Sequence, residues 1–459
     1  MILKKTIGAV LICLLFTQAH AQKNYSFIGF QFLPQAHSFN PALNANNKVY
    51  LNFGLGSHSL GFTHTGFRLN DLLVARPQDD SLTFDVANAL SKTKDLNYMD
   101  FNVKSELLAL GLNFGKRYFS FTASFRFDLS FAYTHDFMQL LIEGNGQDLL
   151  GQRASLDDMG LNANTYLEFA LGYNQKIGKR WKVGGRYKLL SGIANISTVK
   201  SRLGLTTDEE TYALTLDGEV DIRSSNAYAF IPQKGSVTPD LQNVLAGIQG
   251  FGNMGHSLDL GATFDATKKL KLQASVLDLG FITWKTNVQN YRRDDVEFTF
   301  EGVELRQAIG DTNYLDNLQD SISEVFKFEN DKESYTRALP MRIVIGGNYS
   351  FNNVLSTGVY YFSDFSNTNY RPSIVLTGSF KLSQIFFINT NYMATTNSFL
   401  NFGAGFAIKF LGIETFVTTD NLLGLLNPGA ARNAHVAAGF NLVFGKHREE
   451  KEKQDIIDI

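Results

Sequence analysis

The sequence predicts an all-β protein: a transmembrane antiparallel β-barrel of about 14 strands, with an N-terminal luminal plug segment and long extracellular loops. Three observations carry this. Phe is as frequent as Gly, at 39 each in 459 residues, and charged residues make up only 19%, against about 25% in ordinary soluble domains, so apolar side chains must be widely spread over the surface. After the first 21 residues no uncharged apolar run is long and pure enough for a membrane helix, which needs about 20 residues. The apolar residues instead recur at every second position, the period of a strand with one greasy face and one wet face.

The elements follow in order. Residues 1–21 read as a signal peptide: Lys4 and Lys5, the apolar stretch Ile7 to Phe16, then Ala19-His20-Ala21, the small-x-small pattern of a cleavage site. Its removal takes away Cys13, the one cysteine, and leaves 40 Lys+Arg against 44 Asp+Glu, which excludes disulfides and thiol catalysis. Cys13 follows bulky Ile12 inside the apolar core and is a poor lipidation site. Near-zero net charge without a basic block argues against nucleic acid.

Residues 22–46 form the expected plug. Tyr25, Phe27, Ile28, Phe30, Phe32 and Leu33 do not alternate, and Pro34, Asn40 and Pro41 follow; proline withholds a ladder donor and makes a poor wall strand. So many aromatics would be an exposed apolar stretch in water, and the lumen is the nearest cover. A loose leader is the competing reading.

Residues 47–445 hold the barrel. From Phe119 to Tyr133 the odd positions are all apolar, while the even positions carry Ser120, Thr122, Ser124, Arg126, Asp128 and Ser130. The same alternation places strands near 48–64, 101–115, 118–133, 160–177, 181–196, 255–265, 270–284, 340–351, 354–363, 372–382, 385–394, 399–409, 413–421 and 434–444. An even number suits a bacterial barrel. The first strand changes phase across Gly54-Leu55-Gly56, which predicts a bulge. The last ends on Phe444, an aromatic terminus suited to barrel assembly.

Tight connections, at Gly115-Lys116-Arg117, Gly178-Lys179-Arg180, 265–269, Asn352-Asn353 and Ser383-Gln384, alternate with long ones near 68–100, 134–160, 197–254 and 285–339. Short turns belong to the periplasm and long loops to the outside, which puts both termini, with the charged tail 446–459, in the periplasm. That tail is a solvated extension or a partner site. Within the loops, Asp136–Glu143 and Asn313–Phe326 read as short helices, and Ile196–Leu203 with Thr211–Ile222 as a projecting hairpin.

Particular segments resemble a known family. Ser275-Val276-Leu277-Asp278-Leu279-Gly280-Phe281-Ile282-Thr283-Trp284, Arg337-Ala338-Leu339-Pro340-Met341-Arg342, and Thr419-Asp420-Asn421-Leu422-Leu423-Gly424 with Gly439-Phe440-Asn441-Leu442-Val443-Phe444-Gly445 are similar to an uncharacterised Bacteroidota family of outer-membrane barrels, a domain of unknown function. That family looks related to the FadL-type transporters of hydrophobic compounds and to the PorV-type barrels of type IX secretion, whose start Asn40-Pro41-Ala42 resembles. The resemblance implies a fourteen-stranded wall with an N-terminal segment inside it, and supplies no ligand.

No catalytic constellation, metal site or cofactor motif emerges. Seven histidines outside the signal, His37, His58, His64, His135, His256, His435 and His447, are scattered, and G-x-S-x-G is absent. The letters of a dinucleotide fingerprint in Gly250-Phe251-Gly252-Asn253-Met254-Gly255 stand in the wrong context, since Leu241 to Ile248 reads as helix before them and a strand follows, where the motif needs the reverse. Asp208-Glu209-Glu210 and Asp294-Asp295 lack the spacing of calcium ligands. Charge in the lumen is the remaining signal. Arg126, Asp128, Glu168, Arg186 and Lys188 face inward on three consecutive strands, and Asp259, Lys271 and Arg342 extend the set. They form either a structural ion-pair ladder or a selective constriction. The function expected is a passive channel or binding barrel in the cell outer membrane for a small hydrophobic or amphipathic compound, touching outer-membrane lipid. The alternative is a structural or secretion-associated barrel that holds an envelope protein.

Overall fold

Alternating apolar and polar residues leave each strand one face for hydrocarbon and one for the interior, and closure removes the exposed edges that an open sheet would present. The computed structural model describes residues 25–45, 47–76, 81–227, 251–301, 329–365, 370–395 and 398–446. The signal peptide, the readings of Leu241–Ile248 and Asn313–Phe326 as helices, and the tail beyond Lys446 lie outside the described residues.

The wall consists of β1 (Asn47–His64), β2 (Leu96–Phe114), β3 (Arg117–Thr134), β4 (Gly160–Ile177), β5 (Trp181–Thr207), β6 (Asn253–Asp265) and β7 (Leu270–Trp284), followed by β8 (Met341–Ser350), β9 (Leu355–Phe365), β10 (Tyr370–Lys381), β11 (Phe386–Thr395), β12 (Ser398–Phe410), β13 (Ile413–Thr419) and β14 (Asn433–Lys446). Each pairs antiparallel with the next, and β14 pairs with β1 to close the ring of fourteen. Outward side chains such as Leu171, Leu260 and Phe402 are among the most exposed large apolar residues, while Ser124, Glu168 and Asn441 on the opposite face are buried. The protein is therefore inside out relative to a soluble one, as a transmembrane barrel must be.

One end of the barrel carries tight turns. Phe114 pairs directly with Arg117 across Gly115-Lys116, and Phe410 with Ile413 across Leu411-Gly412. Gly115, Leu411 and Gly412 all have positive φ, the left-handed backbone that short hairpins require. The other end carries the long loops, with α1 (Leu69–Leu72), α2 (Val86–Ser91), α3 (His135–Glu143) and α4 (Leu422–Leu426). Thr134 caps α3, its Oγ1 accepting the Phe137 N–H at 3.1 Å, so the helix begins where the strand alternation ends.

The projecting hairpin differs from expectation in origin. Its first arm is β5 itself, which runs on to Thr207 and pairs with Leu214–Ser225; Val288–Phe300 adds on the far side. A wall strand thus continues into an external sheet, with a register shift between Thr198 and Lys200. The bulge in β1 is present: Leu51 pairs with Leu442, and the next pair is Ser57 with Gly439.

Candidate functional site

The inward positions of β2 to β9 gather the charges. Arg126 Nη2 donates to Glu168 Oε2 at 3.0 Å. Lys188 is central: its Nζ lies 2.5 Å from Asp278 Oδ1, 2.8 Å from Asp259 Oδ1 and 3.8 Å from Glu168 Oε2, with the side chain 2% exposed. Arg186 stands 3.5 Å from Asp259 Oδ2 and 3.9 Å from Glu168 Oε1. Arg342 Nε donates to Asp364 Oδ1 at 2.7 Å, and its guanidinium sits 5.9 Å over the Phe39 ring. Asp128 joins Lys104, Arg126, Lys188, Asp278 and Arg342 around an interior cavity of about 70 Å³. Lys271 is placed elsewhere, near the turn end in register with Asp265 and Asn348, and none of these ion pairs includes it.

Four members of this network were not among the charges expected from alternation. Asp278 enters through a bulge. Leu258 pairs with Leu279 but Leu260 with Val276, so Asp259 faces both Leu277 and Asp278. The positive φ of Asp278, tolerable for an aspartate, turns its side chain inward, and its N–H donates to Asp259 Oδ1 at 2.7 Å. Lys104 and Glu106 sit on β2 just before a register shift at Leu107, which breaks the phase of the pattern. Asp364 lies at the loop end of β9, past the residues that alternate plainly.

The N-terminal segment 25–45 runs along the inward face of the wall. Near the loop end, the Tyr25 and Ser26 N–H groups donate to the Asp420 carboxylate at 3.0 and 2.8 Å. Ser26 Oγ contacts the same carboxylate, and Tyr25 Oη donates to Asp364 Oδ2 at 3.0 Å. Phe27 meets Phe416 edge-on at 5.1 Å, and Phe32 meets Phe387 at 4.2 Å. Phe27, Phe30, Leu33 and Phe39 are buried with Val344, Phe362, Val375 and Met393, an apolar cluster that borders the Arg342–Asp364 pair and includes, at its loop end, the 2.9 Å hydrogen bond from Asn391 Nδ2 to Ser26 Oγ. Gln35 Nε2 donates to Asn441 Oδ1 at 2.9 Å and Glu106 Oε1 at 3.2 Å.

Toward the turn end, Asn40 Nδ2 donates to the carbonyls of Ala262 and Ala274 at 3.1 and 3.3 Å, and the Pro41 carbonyl accepts from Asn174 Nδ2 at 2.9 Å. Two wall glycines make this approach possible. A Cβ at Gly261 would come within 2.1 Å of Asn40 Oδ1, and one at Gly184 within 2.4 Å of the Pro41 carbonyl oxygen.

His58, His64, His135 and His256 make local hydrogen bonds. His256 points outward to Tyr187 Oη at 2.6 Å, while Ser257 beside it is buried inward, so the two cannot act as a nucleophilic pair. His64 bonds Tyr133 Oη at 2.5 Å and His58 bonds the Gly54 carbonyl at 2.9 Å. In the external hairpin, the Thr211 N–H and Oγ1–H and the Glu210 N–H donate to Asp208 Oδ1 and hold its carboxyl below the usual carboxylate range.

The chain resembles proteins of known structure at low sequence identity. Among solved structures it is similar to a Pseudomonas aeruginosa FadL homologue, at 9% identity over 93% of this chain and 100% of that one with a TM-score of 0.43. It is similar to the Ralstonia pickettii toluene transporter TbuX at 11% identity over 90% and 94% with a TM-score of 0.40. For the Pseudomonas putida toluene transporter TodX the values are 8% identity, 93% of each chain and 0.35. No curated protein matches the chain. Residues 41–420 match the family of unknown function DUF5723, and the chain belongs to that family.

Proposed function

We propose that this protein is a non-enzymatic outer-membrane barrel that takes up a small amphipathic compound by passive binding and diffusion, with residues 25–45 as a luminal plug. The observation that carries the reading is the two-part interior. One part is a ladder of ion pairs around Lys188; the other is an apolar cluster of Val344, Phe362, Val375 and Met393, against which Phe27, Phe30 and Phe39 pack. A water-filled pore has a polar lining throughout, whereas a cluster that exchanges one set of aromatic side chains for another apolar group suits an amphipathic solute. The cavity of about 70 Å³ beside the segment holds a few waters at most, and in this reading the segment moves aside for a larger solute. The FadL homologue and the toluene transporters are outer-membrane company of the same general kind, and the type IX secretion role implied by the PorV-like start has no such interior observation behind it.

The test is removal of residues 23–44 behind an intact signal peptide. The folded barrel should show single-channel conductance well above that of the full chain, and an amphipathic solute should reduce it. Unchanged conductance from a folded deletion variant would remove the plug and with it the transport reading.

A further inference from the structure

We propose that the apolar side chains displayed by α4 and by the short hairpin Leu73–Ala75 with Leu82–Phe84 are seated in the lipid leaflet at the loop end of the barrel, so that this part of the rim is a membrane-binding surface. The inference rests on the transmembrane reading of the barrel and goes beyond the uptake function.

The wall is incomplete here. β13 is only seven residues long, between β12 of 13 and β14 of 14, and its pairing with β12 ends at Ala404 with Thr419. Beyond that point α4 packs against both β12 and β14 and takes the place of the missing strand. Buried asparagines hold it there. Asn421 Oδ1 accepts the Gly424 N–H at 3.1 Å, Asn421 Nδ2 donates to Asn433 Oδ1 at 2.6 Å, and Asn433 Nδ2 donates to Asn401 Oδ1 at 2.9 Å. The helix lies so close that a Cβ at Gly424 would come within 2.2 Å of the Asn433 carbonyl oxygen.

Docked through its glycine, α4 turns its four leucines away from the barrel. Leu422, Leu423, Leu425 and Leu426 are all exposed, Leu426 by 74%, and no charged residue occurs from Leu422 to Ala431. The neighbouring loop adds to the same patch, since α1 packs on Pro428–Ala430 and the hairpin that follows α1 exposes Leu82 and Phe84 by 69% each. Surfaces in water rarely carry so contiguous an apolar patch. Continuity selects lipid as the occupant: α4 follows β13 and packs against β12, and the outward side chains of those strands, Val417 and Phe402, are exposed on the membrane-facing wall.

Nitroxide labels at Leu426→Cys and Leu82→Cys test this in the full chain carrying Cys13→Ser, reconstituted in phospholipid vesicles. Collision with oxygen, which concentrates in hydrocarbon, is compared with collision with a water-soluble nickel chelate. Phe402→Cys is the lipid reference and Asp208→Cys the water reference. The expected oxygen-to-nickel ratio at Leu426 and Leu82 approaches that at Phe402. A ratio matching Asp208 would overturn the proposal. So would labels shielded from both reagents, which would mean that a protein surface covers the patch. A water-like ratio at Phe402 itself would remove the transmembrane reading instead, and the proposal with it.

Discussion

Lys188→Met is the perturbation that most directly probes the ion cluster. Methionine keeps the length of the side chain and removes the charge, so the change is electrostatic rather than a cavity. Glu168 would retain Arg126 at 3.0 Å and Asp259 would retain Arg186 at 3.5 Å, but Asp278 would lose the ammonium 2.5 Å away. Removing one partner of a buried ion pair costs about 3–5 kcal/mol, because the remaining charge is left uncompensated, whereas replacing both partners by neutral groups is often close to neutral. Lys188→Met should therefore lower the unfolding free energy by about that amount, and adding Asp278→Asn should restore a large part of it. Urea unfolding in lipid vesicles, followed by tryptophan fluorescence, measures both. The two tryptophans report well: Trp284 is fully buried, and Trp181 is half-exposed on the outer face. A loss below about 1 kcal/mol, the range of solvated surface pairs, would show that the cluster is wet. Strict additivity of the two changes would show that Lys188 and Asp278 are not coupled.

Two further outcomes follow from register and topology. Phe127→Arg places a charge on the lipid face and should cost about 2–4 kcal/mol in barrel stability, while Asp128→Asn, one residue along and facing the cavity, should leave assembly intact; equal behaviour in a gel assay of heat-modifiable folding would refute the facing. Cysteines at Lys116 and Lys179, in a Cys13→Ser background, should resist an impermeant thiol reagent on intact cells and a cysteine at Asp208 should react; the reverse pattern would invert the barrel.

The wall was legible because the barrel imposes one rule on every strand, outward apolar and inward polar, and the rule survives in residues such as Phe119 to Tyr133. Where the backbone departs from a regular pleat, the rule loses phase. Asp278 reads as an ordinary out-of-step aspartate until its bulge turns it toward Lys188, and Leu107 hides Lys104 and Glu106 in the same way. The full length of β5 was also obscured, since an external sheet needs no lipid-facing side and so has no reason to keep the alternation clean. Arg126, Glu168, Arg186, Lys188 and Asp259 were visible as inward charges on adjacent strands, but sequence spacing cannot say which carboxylate takes which cation. The contacts of the aromatic segment with Phe416, Phe387 and Asp420 connect residues nearly the whole chain apart, and no local pattern encodes such pairs.

The bulge in β1 bears on how the cylinder is completed. First and last strands can pair only after everything between them has been made, so the β1 and β14 ladder carries the longest loop-closure cost of the molecule. That ladder is interrupted between Leu51 and Ser57, which weakens the junction that is slowest to form. At the same height, Gln35 reaches Asn441 on β14 and Glu106 on β2, spanning the interrupted strand from inside. The N-terminal segment thus supplies side-chain hydrogen bonds where the main chain provides none, and a chain docking that segment early would meet a smaller kinetic barrier to closure than one that docks it last.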